Sequence, residues 1–417
     1  MDIPKKYRVD TRVFQKQRNK TVTVSGYKKS NVVSAFKKAL LAGDVARSIQ
    51  WAIELHISNY VKELWKVFMN VVSKSIHREN PLLPIFMYRH YQSYLEQLTV
   101  KEPMNNQQCR NRITEITCVL ALSHKSKLPV IKMKDKKIEA SSASTAPTTE
   151  KSLLAPNSSF IEKIWKKGDL LEIKGVVNEF AYHIQRQDFT TDTQHTALYW
   201  LQWLFKWDKD NAKRIKKGEG KEKSRSFSCA RRVNKYTDTK WATDYVWILW
   251  DILFFELSYK GLHHHENNQQ IICQHLFRFF CSDYKLSSRT QKQIFLTHAT
   301  LIVLNTYPKL KFTKPIYTHY DIVCQSVLNI NYLYKRISDA SKPHQSNRKR
   351  ALQKERNEEQ LASMDTQAQP PVSSSHPFFS YYMENQLYLD PTYNTIPDSH
   401  NKDDGLLSHL DKFFGPF

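Results

Sequence analysis

Lysines and arginines are concentrated in residues 209–235, where eleven of them stand among few apolar side chains. Cations at this density bind phosphate groups, because each neutralised phosphate releases a condensed counterion. We therefore predict that this stretch makes phosphate contacts with DNA and reads little of the base sequence. The residues assigned to this contact are Lys213, Arg214, Lys216, Lys217, Lys221, Lys223, Arg225, Arg231 and Arg232.

A second candidate binding element lies near residue 417, where a leucine is followed by two adjacent phenylalanines. A short 3₁₀ turn places positions i, i+3 and i+4 on one side, which suits an apolar pocket on a partner protein. A last turn that docks on its own domain is the alternative. The candidate residues are Leu407, Leu410, Phe413 and Phe414.

A short basic run in the C-terminal part suits nuclear import. Its residues are Arg348, Lys349 and Arg350, in a stretch of low apolar content where an import receptor has access. An ordinary charged helix that continues to Leu361 is the equal alternative.

Motifs for catalysis and cofactors were sought without result. The sequence has no G-x-x-x-x-G-K-[ST] phosphate loop, no G-x-S-x-G and no H-E-x-x-H. The three histidines at 263–265 are a weak metal candidate, because consecutive residues point in different directions and only Glu266 flanks them. We expect a non-enzymatic protein with no catalytic residue, cofactor or metal.

The overall composition favours helices and an anionic partner. The formal net charge is +23, which points to nucleic acid more than to acidic proteins or acidic membrane surfaces. Only 9 glycines occur, whereas Rossmann folds and β-sandwiches rely on glycine turns. The expected fold class is all-α.

The cysteines and the apolar runs indicate the cellular compartment of the protein. The six cysteines contain no C-x-x-C pair, so we expect reduced thiols in the core. The first residues lack the apolar region of a signal peptide, and no run has the length of a membrane span. These features predict an intracellular, reducing location and no membrane partner.

Helical periodicity begins at Ser30 and continues through two blocks. Gly43 is the expected stop of the first helix and Asp44 the N-cap of the next. Tryptophans at 200, 203, 207, 247 and 250 lie within apolar helical patterns and are predicted to be core residues rather than stacking platforms.

The composition divides the chain into five parts. We predict a basic flexible arm at 1–24, a helical collar-like domain at 25–127 and a linker at 128–158. A second helical domain at 159–338 contains the basic loop 209–235, and a disordered tail follows at 339–417.

Residues 25–127 carry Lys29-Ser30, Gly43-Asp44 before Ala46 and Trp51, Asn80-Pro81 and Lys125-Ser126. This order resembles the C-terminal helical domain of the MgsA/RarA-type replication-associated AAA+ ATPases. In that family the domain serves oligomerisation, so the resemblance implies a homo-oligomer at stalled or gapped DNA. Two departures stand out: the ATPase domain is missing, and Ile76-His77-Arg78-Glu79 replaces an acidic pair and glycine.

The Leu410, Phe413 and Phe414 pattern resembles the sliding-clamp-binding peptide known as the PIP box, with Leu407 where that motif has glutamine. The whole chain also looks similar to uncharacterised proteins of nucleocytoplasmic large DNA viruses, around Trp200 and Trp250. These resemblances imply an accessory factor of DNA replication or genome maintenance, in the nucleus or at a cytoplasmic viral replication site, bound to a sliding clamp or other replication proteins. A genome-packaging protein of a large DNA virus and an RNA-binding or transcription factor are the alternatives.

Overall fold

The computed structural model describes residues 3–9, 21–98, 102–128, 131, 153–186, 190–216, 229–263, 268–304 and 316–340. Within these ranges the chain is all-α, which confirms the predicted fold class. None of the described helices is long and apolar enough to cross a membrane. The helices are α1 Lys29–Ala42, α2 Val45–Ile57, α3 Val61–Val71, α4 Leu83–Leu98, α5 Gln107–Leu122, α6 Lys174–Gln185, α7 Thr191–Lys216, α8 Val246–His263, α9 Asn268–Cys281, α10 Arg289–Leu304 and α11 Tyr320–Ala340.

The chain divides into two units. Unit 1 comprises the described parts of Met1–Asn80, Phe86–Lys125 and Lys311–Phe417, and unit 2 comprises those of Pro81–Ile85 and Ser126–Leu310. Helix α11 therefore belongs to unit 1, which corrects the predicted domain boundary at residue 338. It packs on α2 and α5, because its apolar stripe joins the core of the first helices. The stripe consists of Val323, Val327, Ile330 and Tyr334.

Local signals place the helix ends in unit 1. Gly43 has a left-handed φ of 77° and ends α1, and the Asp44 carboxylate accepts a hydrogen bond from the Arg47 amide at 2.9 Å. Both sequence predictions are confirmed here. Helix α5 begins at Gln107, because Asn106 caps it by accepting from the Cys109 amide at 3.1 Å.

The predicted flexible arm is packed where the structure describes it. Ile3 and Val9 are each 3% exposed, on either side of a 3₁₀ turn at Lys5–Tyr7. The Val9 amide donates to Asn105 Oδ1 at 2.9 Å. Residues 3–9 are therefore part of unit 1, because two apolar side chains among the basic ones have a core to enter.

A buried arginine on α5 holds distant segments of unit 1 together. Arg110 is fully buried and stacks over the Tyr334 ring at 4.2 Å. Burial lowers the pKa of Arg110 to about 10. Its nitrogens donate to uncharged oxygens, namely the carbonyls of Met104 (2.7 Å) and Tyr7 (3.3 Å) and the side-chain oxygens of Asn331 (2.9 Å) and Asn105 (3.1 Å).

The Arg110 cluster continues into a buried histidine. His56 Nδ1 lies 2.5 Å from the Tyr334 hydroxyl, and its Nε2 lies 2.9 Å from the Tyr94 hydroxyl. Burial, with the charge of Arg110, lowers the pKa of His56 to about 3. The imidazole is therefore neutral at physiological pH and links α2, α4 and α11 through hydrogen bonds.

Unit 2 is built around aromatic side chains. Trp200, Trp247 and Trp250 are at most 2% exposed, which confirms their prediction as core residues. Trp207 is half-buried and stacks on Trp203, with their ring centroids 6.3 Å apart. All six cysteines of the chain are buried and none forms a disulfide, as predicted.

A polar cluster lies within the aromatic core of unit 2. The Asp244 carboxylate accepts from the Tyr284 hydroxyl at 2.7 Å and from Arg289 at 2.9 Å. Arg289 also pairs with Asp208 on α7. Salt bridges therefore connect the start of α10, the end of α7 and the turn before α8.

We expect Arg110→Ala to lower the free energy of unfolding of unit 1 by about 3 kcal/mol, because several charge-assisted hydrogen bonds are lost and their acceptors stay buried. Hydrogen exchange of peptides from α5 and α11 measures this loss. The matched control is Arg336→Ala on α11, which removes an exposed cation. Similar exchange in the two variants would contradict the role given to Arg110.

Glu115 makes the stability of unit 1 depend on pH. It is buried on α5, accepts from the Tyr317 hydroxyl at 3.0 Å and lies 3.9 Å from His90. Burial raises the pKa of Glu115 to about 7 and lowers that of His90 to about 3, so His90 adds no charge there. The folded state thus holds the Glu115 proton to a higher pH than the unfolded state, and stability falls as the pH rises towards and through 7.

Glu115→Gln keeps the acceptor for Tyr317 and removes the titration. We expect its stability advantage over the wild type to grow by about 1 kcal/mol between pH 6 and pH 8. Urea unfolding followed through hydrogen exchange of α5 peptides gives the comparison. A constant difference across this interval would refute the raised pKa.

Candidate nucleic-acid interface

The structure describes only part of the predicted basic loop. Residues 209–216 are helical and form the end of α7, whereas a loop was predicted. Lys213 is exposed there, with its Nζ 3.0 Å from Asp210 Oδ1, and Arg214 and Lys216 share its last turns. Arg231 is exposed beyond it.

Several predicted residues lie outside the described parts of the chain, so their assignments stay predictions. They are Lys217, Lys221, Lys223 and Arg225 of the basic loop, Arg348, Lys349 and Arg350 of the import run, and Leu407, Leu410, Phe413 and Phe414 of the clamp-binding peptide.

Arg232 is a correction to the predicted interface. Its side chain is 5% exposed, and it forms a two-pronged ion pair with Asp169 at 2.6 and 2.7 Å. Its Nε donates to Asp251 at 2.7 Å, and Nη2 also donates to the Ile164 carbonyl at 3.1 Å. All three nitrogens are engaged inside unit 2, so Arg232 is a structural residue and not a phosphate contact.

These three charged residues, Arg232, Asp169 and Asp251, form the Arg232 ion-pair network. It holds segments that are distant in sequence, because Asp169 also accepts from the amides of Lys166 (2.7 Å) and Ala230 (3.0 Å). The Arg232 amide in turn donates to the Ala242 carbonyl at 2.7 Å. The network thus joins residues 164–169, 229–232 and 241–243 to helix α8.

Within this network, Arg232 and Asp169 hold each other in their charged forms. Burial opposes ionisation of Asp169, but the hydrogen bonds and charge of Arg232 and the two backbone amides outweigh it and lower the Asp169 pKa. The pKa of Arg232 is raised, because its hydrogen bonds and attraction to Asp169 exceed the effect of burial. Asp169 therefore forms its ion pair with Arg232 and not with the exposed lysines nearby in the sequence.

Gly168 allows the lysine-rich turn that precedes Asp169. Its φ of 100° lies in the left-handed region, where a side chain is strained. The turn closes with the Asp169 amide donating to the Lys166 carbonyl at 3.0 Å. Lys166 and Lys167 are exposed on this turn, which is joined to the segment of Arg231 by the bond from the Ala230 amide to Asp169.

Exposed cations and half-buried indoles border the network. We call this the basic–aromatic surface. The Lys174 amino group lies 5.9 Å from the Trp165 ring centroid, and that of Lys240 lies 5.3 Å from the Trp241 ring. Lys240 also pairs with Asp238 at 2.6 Å. The surface consists of Lys166, Lys167, Arg231 and Lys240 with Trp165 and Trp241.

The sequence prediction missed most of this surface. It counted cations within residues 209–235, whereas Lys166, Lys167 and Lys240 lie outside that stretch. The available signal was the adjacency of tryptophan and lysine at 165–166 and at 240–241, away from long apolar runs. The sequence does not reveal that the buried Arg232 hydrogen-bonds to the neighbours of both tryptophans.

The histidines considered for metal binding are described only in part. His263 ends α8, and His264 and His265 lie outside the described residues. In the part of the chain that the structure describes, no three His, Cys, Asp or Glu side chains are grouped closely enough to hold a metal ion.

Comparison with known proteins gave no match. No protein-family model matches this chain, and neither a curated protein nor a solved structure matches it. The function is therefore inferred from the basic–aromatic surface and from the sequence patterns, and the resemblances to replication-associated proteins remain predictions.

Proposed function

We propose that this chain is a non-enzymatic DNA-binding protein that acts as an accessory factor in DNA replication or genome maintenance. The observation that carries the proposal is the basic–aromatic surface. Lys166, Lys167 and Arg231 are exposed there, while the buried carboxylate of Asp169 pairs with Arg232. A surface with several exposed cations, on a chain whose net charge is +23, attracts a polyanion.

The contacts on this surface suit phosphates rather than base edges. Lys166 and Lys167 lie on a turn, and Arg231 lies on a non-helical segment, so no helix presents these cations to a major groove. Binding of this kind depends on charge and tolerates any base sequence. It fits a factor that acts wherever DNA is being copied or repaired.

The second part of the proposal is attachment to a sliding clamp through Leu407, Leu410, Phe413 and Phe414. Its support is the sequence spacing alone. A chain that holds DNA through unit 2 and a clamp through this peptide would bind both at raised effective concentration.

The DNA test uses a charge-reversed variant, Lys166→Glu/Lys167→Glu/Arg231→Glu. We expect the Kd for a fluorescent duplex to rise by about tenfold or more, because phosphate contacts are replaced by repulsion. The slope of log Kd against log salt should become shallower by about three, since three fewer phosphate contacts release counterions. Fluorescence anisotropy at several salt concentrations measures both quantities.

The matched control for this variant is Lys38→Glu/Lys74→Glu/Arg336→Glu, which changes the net charge equally at exposed positions of unit 1. Its Kd should change far less than that of the first variant. Equal losses in the two variants, or duplex binding that ignores salt, would refute the proposed DNA surface. Preference for RNA in competition would favour the RNA-binding alternative.

The clamp test compares the wild type with Phe413→Ala/Phe414→Ala in a pull-down with a purified sliding clamp. The variant should lose recovery of the clamp, because the apolar plug is gone. Duplex binding should be unchanged in the same variant, which serves as its control. Equal recovery of the clamp by the wild type and the variant would refute the proposed attachment to a sliding clamp.

A further inference from the structure

Trp165 and Trp241 differ from the core tryptophans of unit 2. Trp200, Trp247 and Trp250 are almost fully buried, whereas Trp165 and Trp241 are half-buried. Among the described residues, no aromatic ring stacks on either of these two indoles. An indole that is partly exposed and carries no stacked ring can accept a further planar ring.

The Arg232 ion-pair network anchors both indoles. Arg232 donates from Nη2 to the carbonyl of Ile164, the neighbour of Trp165, and from its amide to the carbonyl of Ala242, the neighbour of Trp241. Trp241 is held further, because its carbonyl accepts from Trp247 Nε1 at 2.7 Å. Two segments that are distant in sequence, each next to one of these indoles, are therefore hydrogen-bonded to the same residue, one through its guanidinium and the other through its backbone amide.

Each indole has a cation beside it. Lys174 lies over Trp165 and Lys240 over Trp241, and Lys166 and Lys167 follow Trp165 directly. A nucleotide whose base stacks on an indole would place its phosphate within reach of these amino groups. This combination of aromatic platforms and backbone-tracking cations is the chemistry that binds single strands.

We propose that the basic–aromatic surface takes unpaired nucleotides, with bases stacked on Trp165 and Trp241 and phosphates held by the neighbouring lysines and Arg231. The inference rests on the proposed function and narrows it to single-stranded DNA. In a duplex the bases are stacked on one another, so an indole on a protein surface gains little from them. In a single strand each base can be splayed out and presents its whole face.

The test compares a single-stranded oligothymidine with a duplex at the same salt concentration. The variants are Trp165→Ala, Trp241→Ala and the double variant. We expect each single change to weaken single-strand binding by about tenfold, as for the loss of one stacked base. Duplex binding should change by less than about twofold, because phosphate contacts dominate it.

Two further variants separate stacking from general damage. Trp207→Ala removes a half-buried indole of unit 2 whose ring already stacks on Trp203, and it should leave single-strand affinity unchanged. Trp165→Phe/Trp241→Phe keeps an aromatic ring at each position and should retain most of the single-strand affinity. Thermal melting followed by circular dichroism checks the folding of each variant.

A measurement on the wild type keeps the proposal testable if an alanine variant does not fold. Ultraviolet crosslinking to a single strand that contains iododeoxyuridine, followed by peptide mapping, should label peptides with Trp165 or Trp241. Labelling confined to other peptides would overturn the inference. Equal losses for single strand and duplex in the alanine variants, or no loss for either, would also overturn it.

The failure of this inference is distinct from failure of the proposed function. In one outcome, the charge-reversed variant Lys166→Glu/Lys167→Glu/Arg231→Glu loses affinity for both single-stranded and duplex DNA, whereas the tryptophan variants keep their affinity for both. DNA binding at this surface would then be supported and base stacking refuted. If the charge-reversed variant keeps both forms, the surface is not a DNA site and both proposals fall together.

Discussion

Each unit depends on a buried guanidinium that hydrogen-bonds to segments distant in sequence. Arg110 joins the 3₁₀ turn at Lys5–Tyr7 and helices α5 and α11 in unit 1, and the Arg232 side chain joins residues 164–169 to α8 in unit 2. The planar group offers five donors in fixed directions, so one side chain satisfies acceptors from several backbones at once. Lysine cannot fill either role, because all its hydrogen bonds come from a single nitrogen.

The two guanidiniums differ in what balances their charge. Uncharged oxygens surround Arg110, so no carboxylate offsets the loss of hydration of its charge. Burial therefore lowers the pKa of Arg110 to about 10. Arg232 faces the carboxylates of Asp169 and Asp251, and its pKa is raised. The consequence for unit 2 is that the charge of Arg232 is balanced by carboxylates of the same unit.

Local features of the fold were predictable, because short stretches of sequence determine them. Gly43 and Asp44 end and begin helices through their own backbone preferences, and the core tryptophans follow from helical periodicity. The placement of α11 in unit 1 was not predictable, since its apolar stripe fits any helical core. Arg231 and Arg232 show the same limit: the residues are adjacent and alike in charge, yet one is exposed and the other forms the internal network.

The position of the candidate interface outside the regular helices has a physical reason. Trp165 lies on a non-helical segment and Trp241 ends the 3₁₀ helix Thr239–Trp241, and such short segments lose entropy on binding unless something fixes their backbones. Arg232 orders these backbones when the protein folds, because it donates hydrogen bonds to the carbonyls of Ile164 and Ala242. The surface is therefore preorganised, and affinity for a nucleic acid would come from stacking and counterion release without a further ordering step.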